Sequence, residues 1–251
     1  MNELLIWLYP MAVVLTAYLV LGITGFGSAL IVVPLLAWQW PLAEAVALAL
    51  LLDVPASVLM GRLNLKLVRW VELRQLVPGM LLGCGLGLWL FRQAPSAWPL
   101  LVLGLYVVWV GLRALRQSPL LKALLPASPW VGAVYGMGVG MVQVSFGTSG
   151  PLVLAWLARR RVPAQAVRAS TPVMMVLSGV VALLLFAAEG RLSAPLVWQR
   201  LLVLLPVAFA AVLIGHAVAG RLPAERLRRV ICVLLVFSGA LLVFNAGRQL
   251  L

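Results

Sequence analysis

Apolar runs about as long as a bilayer core is thick follow one another along almost the whole chain. They lie at 42–60, 74–91, 98–115, 166–188, 199–220 and 227–246. A helix needs roughly 20 such residues to cross hydrocarbon. With no water to satisfy backbone groups there, each run must close its own hydrogen bonds as a helix. Of the 251 residues, 64% are apolar and 10% charged, and mean hydropathy is +1.12. Soluble domains carry about 25% charged residues. The chain therefore reads as an all-α polytopic membrane protein. Loops are short, which leaves one integral domain over 1–251.

Net charge is +13. The basic residues sit in the short loops between apolar runs, where they set topology and meet anionic headgroups rather than nucleic acid. Cys84 and Cys232 lie inside apolar runs without metal-ligand spacing, so neither a metal nor a cofactor is expected. The N-terminus holds Glu3 and no basic residue, unlike a secretory leader. The first apolar run is expected to belong to the mature protein.

Two further apolar segments are broken. In "GMVQVSFGTSGPLVLAW" (140–156), glycines and small polar residues interrupt the run, and Pro151 follows. "GFGSALIVVPLLAW" (25–38) resembles "SFGTSGPLVLAWLA" (145–158), with Phe26 and Gly27 falling on Phe146 and Gly147. "AEAV" at 43–46 falls on "AQAV" at 164–167, and Pro78, Gly87, Pro95 and Gly111 fall on Pro206, Gly215, Pro223 and Gly239. The chain thus reads as two repeats, about 1–125 and 126–251. Each has a broken segment (about 4–38 and 130–158) followed by three spans.

Loop charge decides how the second broken segment runs. If 130–158 returns to its own side, fifteen basic residues share one side and four the other; if it crosses once, the division is ten against nine. The positive-inside rule selects the re-entrant hairpin. With three full crossings per half, the halves become inverted repeats, as in many secondary transporters. The first half is expected to hold a matching hairpin at 4–38, although 4–22 alone is long enough to span. Trp38, Trp40, Trp70, Trp98, Trp130, Trp156 and Trp198 lie at or near expected ends, where their rings favour the interface; Trp89 and Trp109 do not.

A half-helix that starts at such a break presents unpartnered N–H groups and a positive dipole end. Ser149 or Thr148 is placed to cap the second, Pro151 suits its first turn, and "GFGS" does the same before Ala29. Two such ends facing one cavity make an anion site without a buried Lys or Arg. Glycines that only let helices pack closely are the alternative, and that is the expectation for Gly83, Gly85 and Gly87.

"GITGFGSALIVVPLL" (22–36), "AEAVALALLLDV" (43–54), a basic loop ending in Trp70, then Pro78-Gly79 with Gly83 and Gly87, resembles the TauE/SafE family. The resemblance covers nearly the whole chain, and Ser28-Ala29 and Thr148-Ser149 stand where family members often have denser glycine. It implies a bacterial inner-membrane, multi-pass transporter that exports sulfite or an organosulfonate.

The substrate-binding candidates are Gly25, Phe26, Gly27, Ser28, Gln143, Ser145, Phe146, Gly147, Thr148, Ser149, Gly150 and Arg168. Asp53, a carboxyl inside an apolar run, is a functional candidate by its cost alone. It could carry a coupling proton, bind a cation with carbonyls freed by Pro55, or simply bond a neighbouring helix as a protonated acid. His216, whose charge changes near neutral pH, is the second proton-coupling candidate. The expected partners are a small anion and the bilayer, with room for a homo-oligomer. Two other classes remain: an intramembrane serine protease built on Ser149 and His216, resembling rhomboid proteases, and an anion channel.

Overall fold

The computed structural model describes residues 3–62, 65–93, 97–116 and 129–219, with positions 233, 236, 237, 239, 240, 243, 244 and 247. Outside them lie most of the run 227–246, Cys232, Pro95, Pro223, Lys122, Arg221, Arg226, Arg228, Arg229, Arg248 and the expected division at 125/126. Among the described residues every regular element is helical. They are α1 (Glu3–Thr24), α2 (Ser28–Leu36), α3 (Leu42–Arg62), α4 (Leu65–Leu67, a 3-10 turn), α5 (Trp70–Gln93), α6 (Ala97–Arg116), α7 (Pro129–Phe146), α8 (Gly150–Arg159), α9 (Ala164–Ala188) and α10 (Pro195–Val218). Among the described residues five helices are long and apolar enough to cross a membrane: α1, α3, α5, α9 and α10.

In hydrocarbon, apolar side chains gain little by leaving lipid, so helices associate where small residues let backbones touch. α5 and α7 show this most clearly. They run in parallel, with Gly79, Gly83 and Gly87 set against the backbone of Ala133, Met137 and Met141, and Gly136 and Gly140 set against Leu76 and Met80. α1 meets α10 in the same way, Gly22 lying on Val212 and Gly215. α3 and α9 cross antiparallel, Gly61 facing Val173 and Gly179 facing Val54. Gly104 of α6 meets Gly239. Gly83 and Gly87 pack as expected, whereas a side chain at Gly85 would meet nothing within 4 Å.

Contacts between elements fix which helix ends lie together. α7 begins beside the start of α5, where Gly132 approaches Gln75. Arg160, just past α8, holds Glu72 in the first turn of α5 with two bonds of 2.5 and 3.2 Å. α8 therefore returns to the end of the bundle from which α7 entered. Arg69 N–H donates to Ser170 Oγ at 3.0 Å, bringing the start of α9 to that end as well. At the opposite end Arg200 of α10 pairs with Glu44 of α3 at 2.6 Å and stacks 3.9 Å over Trp40. Arg92 pairs with Glu189 there. Tyr9 O–H donates to the Leu35 carbonyl at 2.8 Å, so α2 doubles back along α1. Glu72 lies in the first turn of α5.

Trp38, Trp70, Trp98, Trp130 and Trp198 are exposed, as interfacial rings should be. Trp156 is not: it is fully buried, its ring tilted 48° against that of Tyr135, and it donates through Nε1 to the Glu72 carbonyl at 3.1 Å. Its position at a helix end misled because that end folds against α5.

Glycine contacts of this kind make a sharp expectation. A Cβ at Gly136 would stand 2.0 Å from the Leu76 carbonyl oxygen. Gly136→Ala should cost at least the ~1–3 kcal/mol typical of overpacking, seen as a lowered Tm in detergent. Gly85→Ala should leave Tm unchanged or raised.

Candidate functional site

Both breaks are made by glycines in the left-handed region. Gly25 and Gly27 have φ of 85° and 98°, and Gly147 has φ of 70°. A side chain at these positions would be strained. The turn between α1 and α2 is closed locally. Thr24 Oγ1 lies 2.8 and 2.7 Å from the Val20 and Phe26 carbonyl oxygens, which share its single hydrogen, and Phe26 N–H donates to Thr24 Oγ1 at 3.3 Å. Gly147 N–H closes the other end onto the Gln143 carbonyl at 2.8 Å. The two breaks meet: Gly150, the first residue of α8, lies against Phe26, whose Cβ would be 3.0 Å from a Cβ there.

Neither short helix is capped by a side chain. α2 follows Gly27 directly, and Ser149, which precedes α8, makes no capping bond. The expectation that Ser149, Thr148 or Ser28 would cap is thus overturned, while Pro151 does occupy the first turn. The serines are used elsewhere. Ser28 Oγ donates to Asp53 Oδ1 at 2.7 Å. Ser149 Oγ lies 3.2 Å from Ser178 Oγ. Ser178 spends its own hydrogen on the Met174 carbonyl at 2.8 Å, so Ser149 is the donor of that pair. The first N–H groups of α2 and α8 are left without side-chain partners at adjoining points in the fold, which is the electrostatic arrangement that attracts an anion.

Asp53 stands beside the start of α2, buried to 3% exposure. Its Oδ1 accepts from Tyr18 O–H at 2.5 Å and from Ser28; its Oδ2 has no partner. Two other buried oxygens on facing helices are also unpaired: Ser57 Oγ, one turn along α3, and Gln143 Oε1. Gln143 lies at the crossing of α3 and α9, its Nε2 close to Gly179, which also touches Val54. A half-turn of that amide exchanges Oε1 for Nε2. Pro55, inside α3, leaves the Leu51 carbonyl without its helical donor. Buried polar groups without partners are costly, and these three side-chain oxygens lie on α3 and α7. Phe146 is buried within the core cluster, while Ser145 is half-buried at the end of α7.

Arg168 and His216 come together beside the first break. One nitrogen of Arg168 donates to the Gly22 carbonyl at 2.8 Å and lies 3.3 Å from His216 Nδ1. Arg168 therefore caps the C-terminal end of α1, where a cation meets the negative dipole end. Its backbone carbonyl crowds Gly25. Ser149 and His216 are each engaged with other residues, so the hydrogen bonds give no Ser–His dyad. Among the described residues no three His, Cys, Asp or Glu side chains group to hold a metal.

Tyr18, Ser57 and Ser178 carry further buried hydroxyls on these helices and were not singled out from sequence. Ser57 and Ser178 are 121 residues apart, the same offset as "AEAV" and "AQAV", and that correspondence was the available signal. Tyr18 carried none.

The protein-family description "Sulfite exporter TauE/SafE" matches residues 10–242. A curated relative, the "Probable inner membrane transporter protein TsaS" of Comamonas testosteroni, is 40% identical over 201 residues, which covers 80% of this chain and 83% of that protein. No solved structure matches.

The Asp53 contacts predict an asymmetry between two substitutions. Asp53→Asn keeps an acceptor for Tyr18 and Ser28 and should be tolerated. Asp53→Leu strands both hydroxyls, each at about 1–3 kcal/mol. Thermal unfolding in detergent should rank wild type and Asp53→Asn well above Asp53→Leu.

Proposed function

The chain belongs to the sulfite exporter TauE/SafE family of membrane transporters, and from that premise we propose that it exports a small sulfur oxyanion, sulfite or an organosulfonate, across the bacterial inner membrane. The observation that carries this reading is the meeting of two uncapped helix starts, α2 and α8, at Phe26 and Gly150. Positive dipole ends in a site shielded from water bind an anion without the desolvation cost of a buried Lys or Arg. The arginine-rich end, with Arg62, Lys66, Arg69, Arg74 and Arg159 to Arg161, faces the cytoplasm by the positive-inside rule.

The proposed mechanism is alternating access between two inverted repeats, with the anion held between the breaks. The opposite entry ends of α1 and α7, and the matching pairs α1 with α10 and α7 with α5, support that relation. Asp53 carries the coupling proton. An ionised carboxylate beside the start of α2 repels the substrate, so anion and proton bind together. Arg168 and His216 act on this site through the end of α1. Arg168 is thereby a positioning residue, in place of the direct substrate contact expected from sequence.

The test is uptake of labelled sulfite into proteoliposomes under an imposed pH gradient, with sulfonates, thiosulfate and acetate as competitors. Wild type should show saturable uptake that requires the gradient. Asp53→Asn should lose the gradient dependence. Ser149→Leu, folded and expressed, should reduce uptake to background. Gradient-independent uptake by wild type would remove the proton role, and no uptake of any anion would remove the substrate class.

A further inference from the structure

We propose that Ser57, a residue with no role in the contacts above, is a substrate-binding hydroxyl of the anion site, the one that faces the open start of α2. The proposal rests on the functional reading just given and names a donor within that site.

The first observation is an unpaired hydroxyl where pairing is easy. A serine or threonine inside a helix ordinarily donates back to the carbonyl four residues earlier. Thr16, Thr24, Thr171 and Ser178 all do so here, at 2.8 to 2.9 Å. Ser57 is fully buried, and its Oγ makes neither that bond nor any other. A buried hydroxyl left unpaired costs stability, and a ligand that accepts from it removes the cost.

The second observation is where it sits. α2 and α3 are joined at one end by residues 37–41 and lie side by side, so they run antiparallel. Ser28, the first residue of α2, is level with Asp53, to which it donates. Ser57 is one turn further along α3, on the same face as Asp53, and about 6 Å beyond it. That displacement is in the direction toward which the N–H groups of α2 point, off the uncapped start of the helix. A bound oxyanion there meets the helix N–H groups from one side and the Ser57 hydroxyl from the other.

The repeat explains why this hydroxyl is free. Ser57 corresponds to Ser178 at the offset of 121. Ser178 is engaged by Ser149 at the start of α8. At the offset of 120 that aligns the breaks, Ser149 corresponds to Ala29, which has no hydroxyl to offer. The hydrogens of Ser28 and Ser149 are already committed to Asp53 and Ser178; that of Ser57 is not.

Transport of labelled sulfite by the full-length protein in liposomes decides it. Ser57→Ala should raise KM for sulfite about tenfold or more, the factor expected on losing one hydrogen bond to a charged group, with Vmax little changed. Ser57→Thr, which keeps the hydroxyl, should restore a near-wild-type KM. Ala29→Ser should raise KM without deleting any group, because it supplies Ser57 with the partner that Ser178 already has. It also decides the matter should Ser57→Ala fail to fold. If wild type carries sulfite while Ser57→Ala and Ala29→Ser keep its KM, the role of Ser57 is overturned and the functional reading stands. If wild type carries no sulfite, the functional reading falls and the Ser57 assignment with it.

Discussion

Backbone amides inside a bilayer have no water to turn to, and this structure is organised around the two places where a helix gives up its own hydrogen bonds. Non-helical backbone at membrane depth persists only where protein encloses it. Gly25 to Gly27 and Gly147 to Ser149 are enclosed in this way. Thr24 satisfies the first turn from within, Gly150 and Phe26 pack the two turns together, and α3 and α9 flank them. The short helices that follow are then held with their starts open and buried. The positive dipole ends of the proposed anion site are thus supplied by backbone geometry.

Glycine supplies the rigidity around that centre. α5 against α7 and α1 against α10 touch backbone to backbone, and such contacts tolerate little sliding. Both pairs join a broken-helix unit of one half to a span of the other. The helix pairs that frame the site are therefore also the contacts across which the two halves must move if they rock. The ion pairs at the ends, Arg160 with Glu72 and Arg200 with Glu44, join the halves at opposite surfaces.

The polar residues at the centre form two unequal arrangements. At the first break Asp53 collects hydroxyls from Tyr18 and Ser28. At the second, Ser149 and Ser178 bond each other, and among the described residues no carboxyl bonds to either. The two breaks thus differ in their polar partners, a carboxyl at the first and a pair of hydroxyls at the second. Arg168, capping α1 and touching His216, ties the first break to α9 and α10.

Much of this architecture was legible in one dimension. Run length and apolarity specify spanning helices, because hydrocarbon admits no other continuous backbone. The glycines at 25, 27 and 147 mark turns that other residues cannot make, and the uneven basic loops mark a segment that returns to its own side. The family resemblance followed from the same residues. Hydrogen-bond partnership was not legible. Ser28 reaches Asp53 across 25 residues, Tyr18 reaches it across 35, and Arg168 reaches Gly22 across 146. Hydropathy is a property of single segments, so it predicts where helices lie and which turns break them. Which hydroxyl caps, which pairs and which stays free depends on how those helices pack. The expected caps at Ser149 and Ser28 and the interfacial place of Trp156 failed for that reason, and only tertiary contact could assign them.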